Sequence, residues 1–316
     1  MKILVTGGAG FIGSHVAEGL LAQGHEVQVF DDLSSGKKKN VPEGASFVQG
    51  DLRNAAEVDA ALAGFRPEAI SHQAAQTSVS VSTRLPVEDA QRNIIASLNL
   101  FEAAVAHGKP AVVFASTGGA IYGEVPEGER ATPAWPATPL SPYACAKYAV
   151  ENYLGFYAQE RGLPSRVLRY ANVYGPRQDP YGEAGVVAIF CRRLLDGEAI
   201  EVNARTRAGD DGCVRDYVYV SDVVDANLRA LDGRLEAPVV NVCTATPTST
   251  MDLARALVEN LGVEADIRHA ARRAGDLERS VLEIGEFRPS VQLREGIDRT
   301  VDWFRSAKRD ASTGLK

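Results

Sequence analysis

A chain of 316 residues, 45% hydrophobic and 24% charged, carries enough apolar material for a large core with a smaller companion lobe, and lies far from the disordered class. Its 41 acidic and 34 basic residues leave a net charge of -7, which excludes a broad positive field for nucleic acid or an anionic membrane; an anionic ligand must be caught by a few placed cations and backbone amides. No apolar run approaches the ~18 residues of a spanning helix, Met1–Val5 is too short for a signal peptide, and the scattered cysteines and histidines predict no disulfide framework and no metal site and suit a reducing cytoplasm.

Along the chain, short apolar runs at Lys2–Thr6, Glu26–Phe30, Ser46–Gln49, Ala69–His72 and Ala111–Ala115 alternate with longer amphipathic ones at Ile12–Gln23, Ala55–Leu62 and Arg92–Ala106. This alternation predicts an α/β fold: a doubly wound parallel sheet with helices on both faces. Ser165–Arg169 and Val239–Val242 read as further strands, separated by material richer in Gly, Pro and charge between Gly175 and Gly212. The predicted division is therefore 1–175 for the first domain, with a segment returning to it near 215–250, and 176–316 mainly for a smaller lobe. Lys37–Lys39 reads as a solvated loop, and the polar stretch from Ser306 as a frayed end.

Directly after the first strand comes Gly7-Gly8-Ala9-Gly10-Phe11-Ile12-Gly13, a G-x-x-G-x-x-G turn opening a helix. Glycine there permits a tight turn, close approach of a pyrophosphate to backbone amides and close helix packing, while the helix N-terminus supplies partial positive charge. Asp31 and Asp32 end the second strand, where an acid reaches an adenosine ribose 2'-hydroxyl and repels a 2'-phosphate, so the expected cofactor is NAD and not NADP. Asp51-Leu52 after the third strand either borders the adenine or caps the next helix. Gln73, Ala74 and Ala75, following the fourth strand, complete the cofactor candidates on this side.

Ser141-Pro142-Tyr143-Ala144-Cys145-Ala146-Lys147 places a Tyr and a Lys four apart, hence on one helical face, with Ser141 as N-cap and Pro142 as first helical residue. A neighbouring ammonium and a cationic nicotinamide both favour phenolate, so Tyr143 is expected to act as general base with its pKa lowered. The donor that orients a substrate hydroxyl is expected at the end of the strand Val112–Ala115, with Thr117 as first choice and Ser116 as second.

Together these residues resemble the extended short-chain dehydrogenase/reductases, and most of the chain is similar to their UDP-glucose 4-epimerase branch. The matching pieces run from Thr6–Gly13 through Tyr143–Lys147 and Leu168-Arg169-Tyr170-Ala171-Asn172-Val173-Tyr174-Gly175-Pro176-Arg177 to Val214-Arg215-Asp216-Tyr217 and Gly275-Asp276-Leu277. The resemblance implies a Rossmann-type sheet with a C-terminal α/β substrate-binding lobe. It implies that Asn93 and Lys147 place the nicotinamide ribose and that Tyr170 borders the nicotinamide. Asn172, Arg215, Arg273 and Asp276 fall at the substrate, the two arginines against its diphosphate, although Arg272 could replace Arg273. Val202, Asn203 and Arg205 fall near the uracil and its ribose, and Ser280 near the hexose, where a small side chain would admit N-acetylated sugars. A homodimer through the helices Arg92–Ala106 and Tyr143–Glu160 is also implied.

Related 4,6-dehydratases and decarboxylases commonly carry acids after the strand-end hydroxyl, whereas Gly118 and Gly119 follow Thr117 here. The expected reaction is thus NAD-dependent 4-epimerisation of a UDP-hexose. The alternatives are a UDP-glucuronate 4-epimerase, another NAD-dependent nucleotide-sugar oxidoreductase, and a non-catalytic NAD-binding regulator; the last has little use for Tyr143, Lys147 and a strand-end hydroxyl together.

Overall fold

The computed structural model describes residues 1–182, 185–273 and 275–313, with side chains to residue 310. Its strands in chain order are β1 (Lys2–Thr6), β2 (Glu26–Asp31), β3 (Ser46–Gln49), β4 (Ala69–His72), β5 (Ala111–Thr117), β6 (Ser165–Tyr170), β7 (Asn172–Tyr174), β8 (Ile200–Asn203), β9 (Val214–Tyr219), β10 (Val239–Val242), β11 (Pro247–Ser249), β12 (Ile267–Ala270) and β13 (Arg279–Ser280). Seven of them form one parallel sheet in the order β10-β6-β5-β4-β1-β2-β3. The order reverses between β1 and β4, so their carboxyl ends diverge into helices on opposite faces and leave a crevice there.

Strand alternation divides the core between the two faces. Leu4, Phe30, Ile70, Val112 and Phe114 pack under the helices Ala55–Phe65, Ala96–Ala106 and Pro142–Arg161. Ile3, Val5, Val27 and Val29 pack with Val16 and Leu20 of the helix Phe11–Ala22, which rests on the helix Val220–Leu231. Ser141 caps the helix Pro142–Arg161 by accepting from the Ala144 amide, and Gly162 ends it in a left-handed conformation. The expected helix Arg92–Ala106 is modified: Gln91–Ile95 forms a π turn before the regular helix Ala96–Ala106, and Asn93 on that turn is buried.

The second lobe is built on β9, which pairs antiparallel with β11 and parallel with β13 and β7; β8 and β12 form a separate pair. Its own core gathers Tyr174, Val187, Phe190, Tyr217, Leu257 and Ile297. The chain leaves the large sheet at Tyr170 and enters the small one at Asn172, with Ala171 alone between them. It returns along the helix Val220–Leu231 to β10, while β9 and β11, within the same stretch, belong to the small sheet. Lys38 and Lys39 of the expected loop form, with Asn40, a short 3-10 turn. The polar stretch from Ser306 continues the helix Leu293–Thr313 where an end was expected to fray; residues 314–316 lie outside the described residues.

A buried polar chain ties β1 and β4 to the π turn. Thr6 Oγ1 and His72 Nδ1 lie 2.7 Å apart, His72 Nε2 is 3.0 Å from Ser97 Oγ, and Ser97 donates to the Asn93 carbonyl at 2.5 Å. Because the Ser97 proton is used on Asn93, His72 Nε2 donates to Ser97, and in a neutral ring Nδ1 then accepts from Thr6. Burial, assisted by the Lys147 charge, pushes His72 down to about 3. The folded pKa is thus depressed below that of the unfolded chain, so the stability from this ring is complete above pH 6.5 and is lost as pH falls toward 3. Urea unfolding is expected to show a smaller loss of stability between pH 7 and 5 in His72→Gln than in the wild type, from a lower starting value; equal losses would refute this.

Candidate active site

The crevice between β1 and β4 opens into a cleft of about 1300 Å³ that continues between the two lobes. Such a volume exceeds that of a pocket for one small ligand and suits a dinucleotide together with a second nucleotide. At its floor Gly7 adopts φ +69°, and a Cβ there would lie 2.6 Å from the Ala74 amide nitrogen. A Cβ on Gly13 would come within 2.2 Å of the Gly7 carbonyl oxygen. The turn is therefore a cradle that side chains would fill, and these residues fit a dinucleotide pyrophosphate. Gly10, Phe11 and Ile12 line the same cleft, as do Gln73, Ala74 and Ala75 at the end of β4.

Asp31 is buried and braces the turn, accepting from the Ala9 amide at 3.0 Å and the Leu33 amide at 2.8 Å. Burial raises its pKa while those two amides oppose the rise. Asp32 accepts from the amide and hydroxyl of Ser34, and both acids face the cleft. Asp51 and Leu52 line it further along. Asn54, and not Asp51, caps the following helix, accepting from Ala56; Asp51 is instead gripped by Arg53, whose guanidinium holds its carboxyl below the usual range.

The two candidate hydroxyls separate by strand alternation. Ser116 is in register with Arg169 and Thr117 with Tyr170, so the pairs project to opposite faces of the sheet. Ser116 donates to Glu151 at 2.5 Å, and Glu151 is held by both Nε and Nη2 of Arg169, the latter at 2.5 Å. Arg169 also donates to the Tyr122 hydroxyl and the Pro133 carbonyl, which completes a buried network. Thr117 is the hydroxyl that acts on Tyr143, and both line the cleft.

Burial pushes Tyr143 up to about 12, with the Thr117 bond opposing and the Asp89 charge reinforcing. This departs from the expectation that Lys147 lowers it. The Lys147 ammonium donates to the Ala115 carbonyl at 2.9 Å and sits 4.7 Å over the Phe114 ring, and burial lowers its own pKa to about 8. Tyr170 closes this end, its hydroxyl bonded by Asn227 at 2.8 Å and by Gln73 at 3.3 Å.

Across the cleft stand Asn172, Asn203, Arg215, Arg273 and Asp276. Arg215 is steadied by donating to the Leu277 carbonyl at 2.7 Å. Arg272 pairs with Glu278 at 3.3 Å, which leaves Arg273 as the arginine of that pair lining the cleft. Five expected residues do not line it. Asn93 is turned inward, bonded to both main-chain polar groups of Gln76 and to Asp89; Lys147 lies behind Tyr143 against β5. Val202 points into the core of its lobe because alternation turns Glu201 and Asn203 the other way. Arg205 belongs to a loop wound around Asp210, and its guanidinium is 3.9 Å from Glu127. Ser280 is buried on β13 beside Arg215.

Sequence reasoning missed Glu151, Arg169, Asn227 and Gln76. Glu151 was discoverable, since Tyr143, Lys147 and Glu151 recur every four residues along one helical face. Asn227 carried no local sign, because its partners Ser71, Gln73 and Tyr170 are distant in the chain.

A glycine cradle at the switch point of a doubly wound sheet, facing a Thr-Tyr pair backed by a buried Lys, defines a dinucleotide-dependent enzyme of the extended short-chain dehydrogenase/reductase type. Residues 3–243 match the NAD dependent epimerase/dehydratase family, and the chain belongs to that family. It is 42% identical to the UDP-glucose 4-epimerase of Mycolicibacterium smegmatis, over 97% of this chain and 99% of that one. Among solved structures it is similar to the UDP-glucose 4-epimerase of Thermus thermophilus in complex with NAD (52% identity, TM-score 0.93, 97% of this chain and 100% of that one). It is likewise similar to the UDP-glucose 4-epimerase of Thermotoga maritima with UDP-glucose (44% identity, TM-score 0.92, 98% and 100%).

Glu151→Ala would leave the Arg169 guanidinium buried without its counter-ion. A loss of about 3–5 kcal/mol in chemical unfolding is expected, and a loss below 1 kcal/mol would show that the pair contributes little.

Proposed function

We propose that this chain is an NAD-dependent 4-epimerase of UDP-hexoses, interconverting UDP-glucose and UDP-galactose. The observation that carries the reading is the convergence of Thr117 and Tyr143 on the cleft, with Gly118 and Gly119 following where an acid would serve dehydration. Gly119 lines the cleft beside Asn172, so this turn itself carries no carboxylate. In this reading the seven-stranded sheet holds the cofactor, and the lobe around β9 holds the nucleotide sugar.

Gly7, Gly10, Gly13 and the following amides hold the NAD pyrophosphate, Asp31 and Asp32 the adenosine ribose, Asp51 and Leu52 the adenine, and Gln73–Ala75 and Tyr170 the nicotinamide side. Asn93 shapes this side by fixing Gln76. Bound NAD+ would supply the hydride acceptor and donor and, as a cation, would oppose the rise that burial imposes on the Tyr143 pKa. Thr117 orients the sugar 4-hydroxyl, and Tyr143 takes the proton from O4 as the 4-keto sugar forms. Lys147, fixed by Ala115, supplies positive charge behind the phenol. Arg215 and Arg273 grip the diphosphate, Asn172 the substrate beside it, and Asn203 and Asp276 the nucleotide. Anchoring at the diphosphate keeps the keto sugar in the cleft while the hexose turns its other face, after which Tyr143 returns the proton to O4.

The homodimer is proposed through the outer face of the helix Pro142–Arg161, where Tyr153 and Phe156 are exposed, with Ile95 of the neighbouring helix. No helix among the described residues is long and apolar enough to cross a membrane; a cytoplasmic location is proposed with this function.

Incubation with UDP-glucose, UDP-N-acetylglucosamine and UDP-glucuronate separately, with product identification, tests the proposal. Interconversion of UDP-glucose and UDP-galactose without net cofactor reduction is expected, while no turnover of any of the three defeats it. Tyr143→Phe is expected to lower kcat by about 10²–10⁴-fold, and Thr117→Val to lower it more than Ser116→Ala does. The reverse order for the two hydroxyl variants would assign the substrate-facing role to Ser116.

A further inference from the structure

Asp89 presents a buried carboxylate that the reading above leaves unused. It lies in the short helix Pro86–Ala90, which packs against the helix carrying Tyr143 and Lys147, and only 1% of its surface is exposed. Its Oδ1 accepts from Gln76 Nε2 at 2.8 Å and Asn93 Nδ2 at 3.0 Å, both neutral amides, while its Oδ2 is buried with no hydrogen-bond partner. A buried carboxylate oxygen without a donor is costly unless a nearby cation compensates it.

The surroundings of Lys147 identify that cation. On β5 it meets the Ala115 carbonyl and the Phe114 ring, and on β4 the neutral His72. On its own helix stand Tyr143, a neutral phenol when protonated, and Glu151. The charge of Glu151 is already taken by the two-armed grip of Arg169. Of the two carboxylates among the described residues whose charges bear on Lys147, Asp89 is thus the one that no arginine grips. Burial raises the pKa of Asp89 against the bonds from Gln76 and Asn93 and the Lys147 charge, and burial lowers that of Lys147 against the charges of Asp89 and Glu151, so each group favours the charged form of the other.

We infer that Asp89 is a positioning residue for the reaction, the counter-ion that keeps the buried Lys147 protonated behind Tyr143 while tethering, through Gln76 and Asn93, the wall of the cofactor cleft to that same charge. The inference rests on the proposed function for its catalytic meaning, but not for its electrostatic content. Burial already lowers Lys147 to about 8, close to the pH at which the ammonium would be lost. Removing the Asp89 charge takes away the leading opposing influence. The same change lowers Tyr143, since Asp89 also disfavours the phenolate. Both groups therefore titrate at lower pH without the carboxylate.

The test follows the 13Cε resonance of Lys147 against pH in lysine-labelled protein, assigned by its loss in Lys147→Arg. In Asp89→Asn, which keeps an Oδ1 acceptor for Gln76 and Asn93, the Lys147 midpoint is expected to fall by about 1 pH unit or more, and in Asp89→Glu it is expected to return toward the wild-type value. An unchanged midpoint in Asp89→Asn, or an equal fall in Asp89→Glu, overturns the inference. In parallel, the alkaline limb of the epimerase pH profile should move to lower pH in Asp89→Asn and recover in Asp89→Glu, an effect that a simple packing defect would not produce. If the wild type turned over none of the UDP-hexoses, the proposed function would fail, while the resonance titration would still decide the role of Asp89.

Discussion

A buried ion pair holds together the parts from which the cleft is made. Glu151, on the helix of Tyr143 and Lys147, grips Arg169 on β6 and accepts from Ser116 on β5. These contacts fix the helix against the ends of two neighbouring strands, on the face of the sheet opposite Thr117 and Tyr170. Desolvating two charges is expensive, and such a pair is repaid only when its hydrogen bonds are well formed. Here the carboxylate takes the Ser116 hydroxyl beside the guanidinium fork, and the guanidinium reaches Tyr122 and Pro133 besides. Each piece of the network belongs to a different element, so its geometry specifies how they meet.

The same principle operates further along the same face of the sheet. The chain from Thr6 through His72 and Ser97 to the π turn runs from the glycine cradle to Asn93, which in turn fixes Gln76 and Asp89. Parallel strands bury both faces and expose only their ends, so polar groups below the cleft must satisfy one another. Those internal bonds make the cleft walls rigid before any ligand arrives.

Electrostatically, the site divides its work between the protein and its cofactor. The fold makes Tyr143 a weaker acid and Lys147 a stronger one, because burial disfavours both charged forms. The proposed general base therefore depends on a positive ring beside it to become a phenolate near neutral pH. Such dependence couples proton removal to the presence of the group that accepts hydride.

Much of this was legible in the linear chain. The alternation of apolar runs determined the doubly wound sheet, since periodicity is a local property. Gly7 to Gly13, the acids at the end of β2 and the Tyr-Lys spacing marked the cofactor side, because each motif lies within one turn or one helical face. Thr117 was ranked ahead of Ser116 without a local reason to exclude the latter; the register of β5 with β6 and the position of Glu151 place the two on opposite faces. Arg273 was preferred to Arg272 on resemblance alone, and the Glu278 pair with Arg272 supplied the physical distinction. Val202, Arg205 and Ser280 were placed at the ligand by their position in matching motifs, and strand facing and packing turned them away from the cleft. Of the two charges expected to lower Tyr143, Lys147 by itself does not outweigh burial, for spacing reports which charges are near but not how much water they have lost. What the sequence determined by itself was every feature carried by neighbours along the chain; which side chains face the cleft, and at what pKa, was decided only by strand register and burial, because both depend on residues brought together from distant parts of the chain.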